Sequence, residues 1–580
     1  MNRGKVKSRG PLNDWVRPYI CGIVLSGLAF ICGNASFLSK SALAQSLSDQ
    51  VRETLRDRIT ASSAEGQVAC RGKQLCGSAV IPRFYWLRAF RPAWSTDGVT
   101  GSQATLLIKA IHEARQEGLN PEDYHLANIQ KLMTRIRNGT VRTQAIRPQE
   151  LADLDLLLTD AFLLYAFHLS AGRVNPETIQ AEWFIKTQEV DLAEVFQTAL
   201  DKDQIIEALE NLRPKHQGYE RLKKALQAYE NIMEMGGWPM VPVGSRMERG
   251  DQGVRVKALR SRLAVSGDLD ELEKGRQDVF DEVLEDAVRR FQDRHGLTVD
   301  GIVGRATMAA LNVPVEQRIR QIRLNLERWR WLPRDFERRY LLVNIANFEL
   351  DVIEDARVII TMRVVTGTGV RRTPVFTGRM TYMEMNPYWH IPPIIAKEDI
   401  LPRLWKDPKY LARENIRVFQ GWAAEAPQID PESVDWSHIT PEKFPFKLRQ
   451  DPGPSNALGR MKFMFPNKFD VYLHDTPARG MFNQTTRTFS SGCIRIEKPI
   501  ELAEYLLRGQ PEWSREKIVA AINSNKTQIV WIPEPIAVHI LYWTAWVDQD
   551  ALIHLRDDIY GRDTPLDEAL QKGPPNSSEI

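Results

Sequence analysis

The spacing of apolar residues changes character partway along the chain. Between residues 45 and 245 they recur at helical intervals. In "TLLIKAIHEARQEG", Thr105 to Gly118, Leu107, Ala110, Ile111 and Ala114 share one face, and Gly118 stops the segment. "LADLDLLLTDAFLLYAFHLSAG", Leu151 to Gly172, predicts a longer, more buried helix with His168 inside it, where packing rather than catalysis is expected. The stretch "GGWPMVPVG", Gly236 to Gly244, has linker composition. Two amphipathic faces follow: Val254, Ala258, Leu259 and Leu263, then Leu284, Ala287, Val288 and Phe291, with Gly296 as the stop. An Asp300-Gly301 turn and a short helix carrying Ala306, Ala309 and Ala310 complete a three-helix unit of about 65 residues, near the lower limit for a core. A basic amphipathic helix, "VEQRIRQIRLNLERWRWL", begins at Val315.

From residue 340 the period shortens to two. "YLLVNIANFELDVIEDARVIITMRVVTG", Tyr340 to Gly367, predicts a β-hairpin turning near Glu354-Asp355. "MTYMEMN", "MKFMFP", "DVYLH", "QIVWIP" and "IAVHILYWTAWV" read as further strands. Residues 396–455 break the pattern, being rich in Pro, Trp and charge. They read as an insertion placed to cap a cleft.

The N-terminus adds a destination. Arg3, Lys5, Lys7, Arg9 and Arg17 precede the apolar run "YICGIVLSGLAFIC", which is short for a membrane span, and "SALAQ" then supplies an A-x-A pattern. Residues 1–44 therefore read as an export signal cleaved after Ala44, with an uncleaved membrane tether as the alternative. Both place the body outside the cytoplasm. A length of 580 residues predicts several domains, and a net charge of +3 on so long a chain carries no nucleic-acid signal. There is no phosphate-binding loop or dinucleotide fingerprint, and His438, His539 and His554 lack ligand spacing, so neither cofactor nor metal is expected.

Cysteine usage points to the chemistry. Cys21 and Cys32 lie in the signal, and Cys70 and Cys76 are spaced to close a small disulfide loop in an oxidising compartment. Cys493 is left over, inside "YLHDTPARGMFNQTTRTFSSGCIRI". A thiol attacks as its thiolate and needs a base or cation beside it. His474, at the end of a predicted strand, is the candidate base. Gly492 leaves room for a substrate carbonyl, so the N–H groups of Gly492 and Cys493 are candidate oxyanion donors. Tyr472, on the same strand face as His474, is a further donor, and Arg495 is a fixed charge for the site or for a substrate carboxylate. Trp389, Tyr388, Ser491 and Arg487 are the candidate substrate-binding residues; His390 and Arg479 are weaker candidates, a structural role being expected of the histidine and a solvated loop position of the arginine.

Two resemblances sharpen this reading. "FQDRHGLTVDGIVGRATMAAL" resembles the peptidoglycan-binding domain 1 family. "YLHDTP…RTFSSGCIRI" resembles the active-site motif of the L,D-transpeptidases with a YkuD-type catalytic domain. Many members have a second His where Ser491 stands. The "SSGCIR" form, "NPYWHIPP" and "PGPSNALGRMKFMFPN" resemble the larger periplasmic, YcbB-like branch. The expected fold is α+β multidomain: signal at 1–44, helical scaffold at 45–245, peptidoglycan-binding module at 246–313, linking helix at 314–339, mostly-β catalytic domain at 340–535 with its cap at 396–455, and a C-terminal strand and tail at 536–580. The resemblance implies a cysteine enzyme acting on peptidoglycan, with Cys493 as nucleophile and His474 as base. It would join stem peptides by 3→3 crosslinks through a thioester. An L,D-carboxypeptidase, a transferase to another amine, and a non-catalytic wall-binding scaffold are the alternatives.

Overall fold

The computed structural model describes residues 45–63, 67–141, 147–179, 182–185, 190–270 and 277–573. The expected signal segment lies outside them. The N-terminal helices pack around α1, Pro148–Ala171. This helix is long and apolar enough to cross a bilayer, yet 83% of its apolar window is buried inside the protein, as its all-round pattern requires. Several of the polar side chains it buries have partners. Asp155 accepts from the Tyr85 hydroxyl at 2.6 Å and the Trp94 N–H at 3.0 Å, and His168 Nδ1 meets the Tyr124 hydroxyl at 2.9 Å. The helix stops at Gly172 with φ +87°, where a Cβ would lie 2.7 Å from both Glu327 and Trp331.

The expected Cys70–Cys76 disulfide is not formed; both are free thiols. Cys70 Sγ donates to the Asp153 carboxylate at 3.6 Å, whereas the Cys76 N–H meets Asp160 at 3.3 Å. Those two acids are seven residues apart on α1, so the two cysteines dock against different turns of the helix.

Helices Val254–Val265, Glu282–Arg294 and Arg305–Leu311 enclose their own core of Val256, Leu259, Leu263, Leu284, Val288, Phe291 and Leu311. Inside it Arg294 pairs with Asp268 at 2.5 Å, and Gln292 closes the Asp300-Gly301 turn by accepting the Gly301 N–H at 2.8 Å.

The helix expected to link domains is a hub. Helix α2, Gln217–Glu234, and α3, Val315–Arg330, pack together in the same core as the C-terminal sheet. The basic residues at the end of α3 are sunk rather than solvated: Arg328 pairs with Asp563 at 2.6 Å and Arg330 with Glu327 at 2.7 Å.

The C-terminal sheet is built from β1 (Arg339–Asn344), β2 (Glu349–Glu354), β3 (Arg357–Gly367) and β4 (Phe376–Met385). The predicted hairpin is thus three strands, because a 3₁₀ turn at Ile345–Asn347 splits its first arm. Asp355 and Ala356 both have positive φ, the two-residue turn whose twist suits a hairpin. A second, four-stranded sheet follows, with β5 (Trp389–Ile391), β6 (Ile416–Gln420), β7 (Gln428–Ile429) and β8 (Phe446–Gln450) in the order β7-β6-β8-β5. Ile391, Leu401, Leu411, Val418, Trp436 and Leu448 give it a separate core. The insertion is therefore a small folded lobe beginning at Trp389, not an irregular connection beginning at 396.

The main sheet resumes with β9 (Met461–Met464), β10 (Leu473–His474), β11 (Thr488–Ser490), β12 (Ile494–Ile496) and β13 (Gln528–Leu541). Its order is β11-β3-β12-β10-β9-β4-β13-β1-β2, and β2 also pairs with β3, closing the ring. β13 runs through the expected boundary at 535. Pro533 and Pro535 lack N–H groups, and the pairing with β4 shifts register between Trp531 and Ile536, so one bulged strand reads as two in sequence.

Candidate active site

Strand register places the candidate residues on one face. Leu473 and His474 on β10 stand opposite Ile494 and Arg495 on β12, and the Ile494 N–H donates to the Tyr472 carbonyl at 3.1 Å, so Cys493 lies across from Tyr472. Lys462 on β9 faces His474 on one side and Glu384 on the other. Two rows result: Arg495, His474, Lys462, Glu384, and beside it Cys493, Tyr472, Met464, Tyr382. The intervening residues Phe463, Leu473, Ile494 and Met383 point into the core. The rows floor a cleft of about 1320 Å³ whose other wall is the inserted lobe, including Trp389, His390, Ile395 and Leu448.

The loop carrying Cys493 is fixed from below. Gly492 has φ +116°, and a Cβ there would meet nothing nearer than 3.6 Å, so its conformation rather than space calls for glycine. The Thr373 hydroxyl donates to the Gly492 carbonyl at 2.8 Å while accepting the Gly367 N–H at 2.9 Å. The Gly492 N–H donates to Ser490 Oγ at 3.1 Å. This corrects the expectation that Gly492 aims a donor at an oxyanion; its N–H is already used inside the loop.

Cys493 is half-buried, and its thiol donates to the Asp470 carbonyl at 3.6 Å. Burial pushes the thiol pKa up, while the main chain and hydroxyl of Tyr472 and the charges of Lys462 and Arg495 pull it back. Tyr472 itself is held protonated by burial and by the neighbouring sulfur. Lys462 Nζ lies 4.3 Å from the centre of the Tyr472 ring.

His474 is buried, with Nδ1 at 2.6 Å from the Asp475 carbonyl, and the Leu458 main chain also hydrogen-bonds the ring. Burial first, then Arg495, lowers its pKa to about 3. Among the described residues no hydrogen bond joins the thiol to His474. Both line the cleft, on adjacent strands and adjacent rows, as a neutral thiol and a neutral imidazole.

The remaining candidates divide. Arg495 and Trp389 line the cleft, Arg495 reaching the Met481 sulfur at 3.0 Å. Ser491 lines it too, accepting from Arg371 at 2.8 Å. Arg487 does not reach it: its guanidinium is spent on the carbonyls of Phe348, Val364 and Gln484. Tyr388 is exposed and lies under Arg449 at 4.4 Å, outside the cleft lining. Arg479 is tied to Asp475 at 3.1 Å and to the Glu497 carbonyl. His390 lines the cleft.

Sequence reasoning missed three contributors. Lys462 was visible as the charged residue alternating with buried Met461 and Phe463 in "MKFM". Thr373 gave no local signal. Nor did Arg371, which joins Ser491 to the inserted lobe through Asp399 at 2.5 Å and Glu398 at 2.7 Å.

Known proteins share these parts. Residues 338–517 match the L,D-transpeptidase catalytic domain, YkuD; residues 252–311 match the "Putative peptidoglycan binding domain"; and residues 79–226 match the Scaffold domain. The chain thus carries a YkuD-type L,D-transpeptidase catalytic domain together with a peptidoglycan-binding domain. It is 37% identical over 246 residues to a Haemophilus influenzae protein named "Putative L,D-transpeptidase", an alignment covering 42% of this chain and 48% of that one. It is 43% identical over 75 residues to the Mycobacterium tuberculosis N-acetylmuramoyl-L-alanine amidase CwlM, covering 12% of this chain and 18% of the amidase. The chain thus spans about half the length of the first relative and less of the second. An L,D-transpeptidase crystal structure from Xylanimonas cellulosilytica matches at 16% identity over 52% of this chain and 99% of that one, with a TM-score of 0.17, too low to bear on the fold.

Proposed function

We propose that this protein is an exported cysteine L,D-transpeptidase that makes 3→3 crosslinks between peptidoglycan stems. The observation that carries the reading is the Cys493 thiol on the floor of a two-walled cleft, flanked by Tyr472, Lys462, His474 and Arg495. The YkuD match and the peptidoglycan-binding module support it.

The donor is a tetrapeptide stem. When it binds, the thiol rotates from Asp470 towards the neutral imidazole of His474 and gives up its proton. Sulfur attacks the carbonyl of the diaminopimelate residue. The Cys493 N–H and the Tyr472 hydroxyl are the donors placed for the oxyanion, a function worth about 10²–10³ in rate per donor. The C–N bond breaks, His474 returns the proton to the departing D-Ala amine, and a thioester remains. The side-chain amine of a second stem attacks that thioester, forming the crosslink and freeing the thiol. Water in place of the amine gives carboxypeptidase activity; the inserted lobe favours the amine by restricting water. Residues 1–44 direct export to the periplasm, by a cleaved signal or a retained tether.

Intact-protein mass spectrometry with a carbapenem tests the nucleophile. One adduct per chain, mapped to Cys493 and absent from Cys493→Ala, is expected. Muropeptide analysis after expression then separates the products. New 3→3 dimers support transpeptidation; shortened stems alone point to carboxypeptidase action; an unchanged profile leaves a wall-binding scaffold.

A further inference from the structure

The row that begins at Cys493 does not stop at Tyr382. Tyr382 on β4 is paired with Trp531 on β13, and the two rings lie 5.1 Å apart. Trp531 is 68% exposed, between Val530 and Ile532, which are both buried. A tryptophan so exposed contributes little to the core it sits above, and exposed aromatic surface next to a cleft marks a binding site. Ile529, 55% exposed and opposite Glu384, widens the apolar strip on the same face.

Distance identifies an occupant. From β12 through β10, β9 and β4 to β13 are four strand spacings, about 19 Å in total. In the donor proposed above, three residues separate the attacked carbonyl from the sugar. Extended, they span about 10–11 Å, and the γ-linked residue and the lactyl ether lengthen this to roughly 15–18 Å. A stem laid across the strands from Cys493 therefore brings its sugar to Tyr382 and Trp531. An aromatic face suits the C–H face of a pyranose ring, and Glu384 in the neighbouring row can accept from its hydroxyls.

Resting on that function, we propose that Tyr382 and Trp531 form a platform for the sugar ring that carries the donor stem. The enzyme would then select stems still attached to glycan over free peptides.

Binding separates this from the chemistry. Full-length Cys493→Ala protein is titrated calorimetrically with a disaccharide-tetrapeptide and with the same tetrapeptide lacking sugar. The disaccharide form should bind about five- to tenfold tighter. Adding Trp531→Ala should erase that difference, and Trp531→Phe, which keeps an aromatic face, should retain most of it. Equal affinities for the two ligands, or a difference that survives Trp531→Ala, overturns the platform. The second result would place sugar recognition elsewhere, including the peptidoglycan-binding module. Failure of the function itself would show separately, as absence of a Cys493 carbapenem adduct.

Discussion

The N-terminal helices and the cleft sheet each bring together cysteine, histidine and tyrosine, with opposite electrostatics. In the helices, Cys70 sits on the Asp153 carboxylate, and burial followed by that charge drives its pKa up to about 12; burial and Asp160 do the same for Cys76. His168 is enclosed against Tyr124. In the sheet, Cys493 has cations from Lys462 and Arg495 and opens on a cleft. The residue types are the same. Burial raises all three thiols, and they differ in the sign of the neighbouring charge and in access to solvent-sized space, the two features on which the proposed reactivity of Cys493 rests.

That contrast can be broken in order of effect. The largest change should come from Cys493→Ala, with complete loss of carbapenem adduct, whereas Cys70→Ala and Cys76→Ala should acylate at the native rate. If the helical cysteines carried the adduct, the contrast would be wrong. His474→Ala should slow acylation by about 10²–10⁴, the usual range for general-base removal, measured by stopped-flow. A tenfold change or less would leave the imidazole without a catalytic part. Lys462→Gln removes one cation that holds the thiol pKa down and should slow iodoacetamide alkylation of Cys493 several-fold at pH 8. An unchanged rate would show that Lys462 does not tune the sulfur.

The smallest expected effect concerns stability. His474 titrates at about 3 in the fold against 6.5 outside it. As pH falls below 6.5 the unfolded chain takes up that proton first, so stability drops from pH 6.5 towards pH 3 and levels off below. At pH 5 the loss attributable to His474 is about 2 kcal/mol. Urea denaturation of His474→Gln should show a correspondingly shallower decline between pH 7.5 and 5; an identical decline would mean the imidazole is solvated.

Local pattern carried the helices and most strands, and it put Cys493 and His474 on the same cleft, because each depends on residues close in sequence. The Leu-rich run of α1 and the "DVYLH" strand are of that kind. Arg371 could not be found this way: Glu398 and Asp399 lie in an insertion, and Ser491 is 120 residues downstream. Arg487 misled for the converse reason. Its place beside the motif suggested a ligand, but the carbonyls of Phe348 and Val364, which occupy it, come from a turn and a strand over a hundred residues earlier. The disulfide expectation failed because spacing along the chain says nothing about which turn of α1 each cysteine docks on.

The position of β13 has a practical consequence. The family match ends at residue 517, yet β13 begins at Gln528 and lies between β4 and β1. A fragment trimmed at the match would leave two bare strand edges side by side. Such edges recruit other chains, so the trimmed piece should precipitate rather than work in isolation. Excising the chemistry demands everything from α2 onward, since that helix shares the sheet's core.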